Sequence, residues 1–144
     1  MRLALVATAL AGLALSATAA AAAPDPAADA NQSYALRASA DPASLKTGAG
    51  GTLRLAVEPT GAVHVDPKAP LKVTLTATPG LTLRKAQLGR QDAVQAGSGV
   101  SFEVPFTAAA AGHQELKAKL DFFVCTDQWC VKQVRDVTVA VTVQ

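Results

Sequence analysis

Cysteine, histidine and aromatic residues are all scarce in this chain of 144 residues, which has two cysteines, two histidines and an aromatic content of 4%. Two cysteines exclude a disulfide-dense scaffold and allow at most one internal bridge. Their C-x4-C spacing lacks the shape of a zinc knuckle. With so few aromatic residues, the core must rest on Val, Leu and Phe. Charge of one sign is also missing: once Arg2 is removed with a leader, 12 basic side chains face 11 acidic ones, a net charge of about +1. That balance gives no strong pull toward nucleic acid or a membrane surface. Hydrolytic constellations are absent as well. The serines sit in no nucleophile-elbow motif, and Asp66, Asp121 and Asp127 have no spacing that predicts a carboxylate pair. Gly48-Ala49-Gly50-Gly51 is followed by no lysine-threonine pair, so it reads as a turn and not as a phosphate cradle.

What is present begins with a leader. Residues 1–23 read as a secretory signal, with Arg2 for charge, a short apolar segment over Leu3 to Leu15, and an alanine-rich region suited to A-x-A cleavage. The apolar segment is too short for a spanning helix, and no later stretch is long and apolar enough to cross a bilayer. A soluble protein in the periplasm or outside the cell is expected, with no membrane insertion after cleavage. Disulfides persist there. Residues 24–32, rich in alanine with Pro24 and Pro26, read as a flexible spacer. Residues 33–144 then form one domain, enough for one core and hardly for two.

The punctuation of that domain is that of a β-protein. Strands are predicted over Ser33 to Ser39, Thr52 to Glu58, Val63 to Val65, Leu71 to Thr76, Leu81 to Leu83, and Val100 to Val104 with a stop near Pro105. Two longer strands follow. Leu116, Ala118, Leu120, Phe122 and Val124 alternate with polar neighbours, and Val137, Val139, Val141 and Val143 alternate to the end of the chain. Seven or eight short strands and no convincing helix predict an all-β fold, an immunoglobulin-like antiparallel β-sandwich.

The last two strands should form a hairpin with Cys125 and Cys130 at its tip, across a loop from Thr126 to Trp129. Facing the cysteines sets Phe123 opposite Lys132, Lys119 opposite Asp136, Ala118 opposite Val137 and Leu116 opposite Val139, so that like meets like and opposite charges pair. Leu120 opposite Arg135 and Phe122 opposite Gln133 fit less well, and predict strands that splay toward the tip. Both sulfurs fall on the face of Lys117, Lys119 and Asp121, away from the valine-rich core, which predicts an accessible pair. Directly facing residues lie close enough for a disulfide. Lys132 would favour a thiolate at Cys130 and Asp127 would disfavour one at Cys125, so Cys130 is the expected attacking sulfur. Phe123 and Trp129, if exposed at the tip, would form an apolar collar for a partner.

The run Phe122-Phe123-Val124-Cys125-Thr126-Asp127-Gln128-Trp129-Cys130 and its terminal valine strand resemble the cysteine hairpin of the N-terminal domain of the thiol:disulfide interchange protein DsbD. The upstream segment His64-Val65-Asp66-Pro67-Lys68-Ala69-Pro70-Leu71 and the later Pro79-Gly80-Leu81 are similar to stand-alone secreted relatives of that domain. The resemblance implies an immunoglobulin-like domain whose Cys125 and Cys130 cycle between dithiol and disulfide, exchanging electrons with a thioredoxin-like partner. No cofactor is expected. The chain departs from that protein in lacking its membrane-embedded and thioredoxin-like domains, and in a cysteine spacing one residue shorter.

The alternative is an exported, non-catalytic binding module with a structural hairpin disulfide. A metal site from His64, Cys125 and Cys130 would require the Val63 to Pro67 loop to reach the hairpin tip. No fourth ligand is evident from the sequence, so His64 and His113 are read as surface or turn residues and no metal is expected.

Overall fold

A computed structural model describes residue 23 and residues 25–144 of the chain. The leader expected over residues 1–23 therefore lies almost wholly outside the described residues. The described chain is a sandwich of two sheets, as the alternating patterns require: each strand buries one face and leaves the other to solvent. It is the expected all-β, immunoglobulin-like architecture.

The first sheet contains β1 (Tyr34–Asp41), β3 (Gly50–Pro59), β9 (Gly99–Ala108) and β6 (Leu81–Leu83) in that order, with β8 (Val94–Ala96) also pairing with β9. The second contains β2 (Ser44–Leu45), β11 (Cys130–Val143), β10 (Gly112–Cys125), β5 (Lys72–Ala77) and β7 (Gln87–Gly89), with β4 (His64–Val65) on β10 beside β5. Every pairing is antiparallel except that of β2 with β11. Leu53, Leu55, Val57, Val100, Phe102, Val104 and Phe106 from the first sheet meet Leu116, Leu120, Phe122, Val124, Val73 and Val141 from the second, all buried. Burying such a side chain contributes roughly 1.5–3 kcal/mol, and this is the core on which the hairpin tip stands.

Three features differ from the sequence reading. The segment read as a spacer is helical over α1 (Pro26–Gln32). Asp25 caps it by accepting from the Ala27 N–H, Pro26 occupies the first turn where its missing donor costs nothing, and Ala30 is fully buried. Strand β9 also runs through Pro105. Its far edge is bare there, between the stretch paired with β8 (residues 99–101) and the stretch paired with β6 (residues 106–108), so the absent N–H breaks no ladder on that side.

The third difference concerns the hairpin. β10 and β11 pair without interruption from Gly112 opposite Val143 to Cys125 opposite Cys130, in the register read from the sequence, and they do not splay. Gln133 is buried opposite Phe122, and its Oε1 accepts from the Tyr34 hydroxyl at 2.8 Å and from Arg135 at 2.7 Å. Arg135 lies over the Tyr34 ring at 5.8 Å and donates to Asn31 on α1. The Tyr34 ring in turn meets Phe122 edge-on at 5.2 Å. The polar residues that looked misplaced are therefore satisfied by β1 and α1, elements distant in sequence.

Candidate functional site

At the tip, Thr126 N–H donates to the Trp129 carbonyl at 2.8 Å, and Thr126 Oγ1 accepts from the N–H groups of Gln128 and Trp129. This narrows the turn to Asp127 and Gln128. It also makes the next pair out, Cys125 and Cys130, the closely spaced kind that lacks mutual hydrogen bonds. Their Cα atoms are 4.1 Å apart and their sulfurs are joined in a disulfide.

The two cysteines are not equivalent. Cys130 is exposed, whereas Cys125 is 4% exposed. The expected accessibility therefore holds for one member of the pair. Both cysteines do lie on the face opposite the valine core, but β4 and the loop after it cover that face at Cys125. His64 stands directly opposite Cys125, so His64, Cys125 and Cys130 form one row across three adjacent strands. Facing residues of paired strands project to the same side of a sheet. The Val63 to Pro67 segment thus does reach the tip.

Asp66 completes the cover. Its N–H donates to the Phe123 carbonyl, and its Oδ1 accepts from the N–H groups of Lys68 and Ala69 at 2.6 and 2.8 Å. Oδ2 lies 3.7 Å from Cys125 Sγ. Arg90 fixes this loop from behind by donating to the carbonyls of Asp66 and Ala69. The two backbone N–H groups hold the Asp66 carboxyl below the usual carboxylate range, against partial desolvation, with smaller contributions from His64 and Arg90. Asp66 is therefore anionic at neutral pH, and a second negative charge on Cys125 is disfavoured beside it.

Other residues singled out in the sequence stand as follows. Lys132 is opposite Phe123 and pairs with Asp121 at 3.5 Å, so its charge is shared and not devoted to Cys130. Phe123 is half-buried and lines a shallow groove with Pro70, Lys72, Asp121 and Lys132, one row below the disulfide. Trp129 is half-buried and packs against the core. Asp127 is exposed in the turn. His113 is exposed at the far end of β10. Sequence reasoning missed the role of Asp66, because its contact with Cys125 joins positions 59 apart.

Fold and site together define an all-β, two-sheet domain that carries a short-range disulfide at the end of its longest hairpin. No protein-family model matches the chain, and no curated protein is similar to it in sequence. Among solved structures it is similar to Escherichia coli alpha-2-macroglobulin, at a TM-score of 0.46 and 20% identity over 74% of this chain. The matched part is 6% of that protein's length. It is also similar to WR4, a C. elegans MSP family member, at 0.40 and 8% identity, covering 76% of this chain and 97% of that one. The fimbrial subunit AggA of Escherichia coli matches at 0.31 and 15% identity, covering 77% and 95%.

Proposed function

We propose that this is an exported thiol-disulfide exchange protein, a relative of the DsbD N-terminal domain, that passes two electrons between Cys125/Cys130 and a thioredoxin-like partner. The observation that carries this reading is the asymmetry of the pair: an exposed Cys130 bonded to a buried Cys125 whose sulfur lies beside Asp66. Exchange needs one sulfur that an incoming thiolate can reach and a second that leaves and is then protected.

In the reducing direction, the partner thiolate attacks Cys130 Sγ in line with the disulfide. The Cys125–Cys130 bond breaks as a bond from Cys130 to the partner forms, and the Cys125 sulfur leaves with the electron pair and takes up the proton given up by the partner's thiol. The resulting Cys125 S–H faces Asp66 Oδ2, an acceptor already in place. A second partner thiol then attacks the partner's own sulfur, releasing Cys130 as thiolate and leaving the partner oxidised. The reverse sequence oxidises the domain, and the partner's potential sets the direction. The groove beside Phe123 gives a peptide next to the attacked sulfur an apolar wall and the charged pair of Asp121 and Lys132.

Burial of Cys125 favours a second reading, a binding module whose disulfide is structural. Single-cysteine variants separate the two. The probe is a thioredoxin-like protein lacking its resolving cysteine, its attacking cysteine activated with thionitrobenzoate. Cys125→Ala, which frees the exposed Cys130, is expected to form a mixed disulfide at least ten times faster than Cys130→Ala, read on non-reducing gels. Equal, negligible adduct from both variants contradicts the exchange reading and leaves the structural one.

A further inference from the structure

Opening the disulfide would free two sulfur donors beside a carboxylate oxygen. Cys125 Sγ, Cys130 Sγ and an Asp66 carboxylate oxygen lie within 4.8 Å of one another. Asp66 reaches this cluster through Oδ2, because Oδ1 is occupied by the N–H groups of Lys68 and Ala69. The carboxylate is thus oriented by its own loop, and that loop is pinned by Arg90. His64 stands opposite Cys125 on the same face, and its ring lies outside this cluster.

We propose that the reduced protein holds a borderline-soft divalent cation of the zinc class, ligated by Cys125, Cys130 and Asp66. Two sulfurs and one carboxylate oxygen form a three-donor set that tetrahedral Zn2+ takes with a solvent molecule in the fourth position. The donors come from two neighbouring strands and one pinned loop, so little chain has to be ordered on binding. Occupation is redox-gated. In the disulfide each sulfur spends its electrons on the other, and neither offers a thiolate. After two-electron reduction by a dithiol protein or an added phosphine, the dithiol binds the cation and releases two protons to solvent. Re-oxidation by a disulfide partner removes the two electrons, re-forms the S–S bond and expels the cation. Binding to the dithiol alone also draws the couple toward its reduced form, by linkage.

The site rests on the same reading of a reducible Cys125–Cys130 pair, but its test needs no exchange partner, so the two fail separately. The whole protein is reduced with a phosphine, freed of oxygen and titrated with Co2+, followed by competition with Zn2+. One equivalent of Co2+ is expected to give an intense sulfur-to-cobalt charge-transfer band that Zn2+ abolishes, while the oxidised protein gives no band. Asp66→Asn is expected to weaken binding at least tenfold, while Asp127→Asn, at an exposed turn acid, leaves it unchanged. Far-ultraviolet circular dichroism of each oxidised variant establishes that it is folded before titration. Absence of the band in reduced wild-type protein overturns the proposal. So does undiminished affinity in folded Asp66→Asn, which would reduce the site to the two thiols alone.

Discussion

Gln133 shows how one polar side chain is accommodated in an apolar sheet face. Its amide oxygen is buried beside Phe122 and accepts from both Tyr34 and Arg135. Tyr34→Phe removes one of these donors and leaves the ring contact with Phe122. The expected cost is about 1 kcal/mol, within the range for a single lost hydrogen bond with the acceptor still partly satisfied. Urea unfolding at constant slope checks it. Asp92 allows a prediction of opposite character. Lys85 and the Gly89 N–H hold its carboxyl below the usual range. A carboxylate more acidic in the folded state than in the unfolded one contributes stability that is complete above the ordinary carboxylate value and is lost as pH falls through the folded value. The stability difference between wild type and Asp92→Asn should therefore shrink as pH drops from 7 to about 3. A difference that stays constant over that range contradicts this account of Asp92.

Among the elements, the hairpin of β8 and β9 depends on a close approach that only glycine permits. A Cβ on Gly99 would lie 2.0 Å from the Val57 carbonyl oxygen and 2.8 Å from Pro59. Gly99→Ala is expected to destabilise by roughly 1–3 kcal/mol, the usual cost of overpacking against atoms that cannot swing aside, measured by thermal or urea unfolding. The long elements were legible in the sequence because two signals agree there. In β10 and β11 the two-residue alternation fixes which face is buried, and opposite charges such as Lys119 and Asp136 fix the register. Of the short ones, β4 and β6 were read and three were not. β2, β7 and β8 are two or three residues long and alternate too briefly to register a period. α1 is hidden by a proline and by alanines that also suit a spacer, and it is revealed only by the pocket that takes Ala30. Of the site, the cysteine pair and its facing geometry were readable. The cover over Cys125 was not, because Asp66 and Arg90 reach the tip through tertiary contacts that no local pattern encodes.

For the molecule as a whole, the disulfide is not what holds the sandwich together. It closes a loop of about six residues, worth roughly 2 kcal/mol in the chain-entropy account, while the two sheets share a core of buried Val, Leu and Phe from nine strands. They are clasped at the site end by the Val65 N–H, which donates to the Ser98 carbonyl at 2.8 Å. A fold that does not depend on its disulfide is free to open and close it. Among the described residues no helix is long and apolar enough to cross a membrane. The exported setting proposed for the protein comes instead from its leader-like first residues and its disulfide.

The most direct measurement is the reduction potential of the Cys125/Cys130 couple, taken by equilibrating the protein in glutathione or dithiol buffers of known ratio and quantifying the free thiols. The exchange account predicts a potential above about −300 mV, where dithiol partners can open the bond, with the circular dichroism of the sandwich retained in the reduced form. A potential well below that value, or collapse of the sheets on reduction, would contradict it.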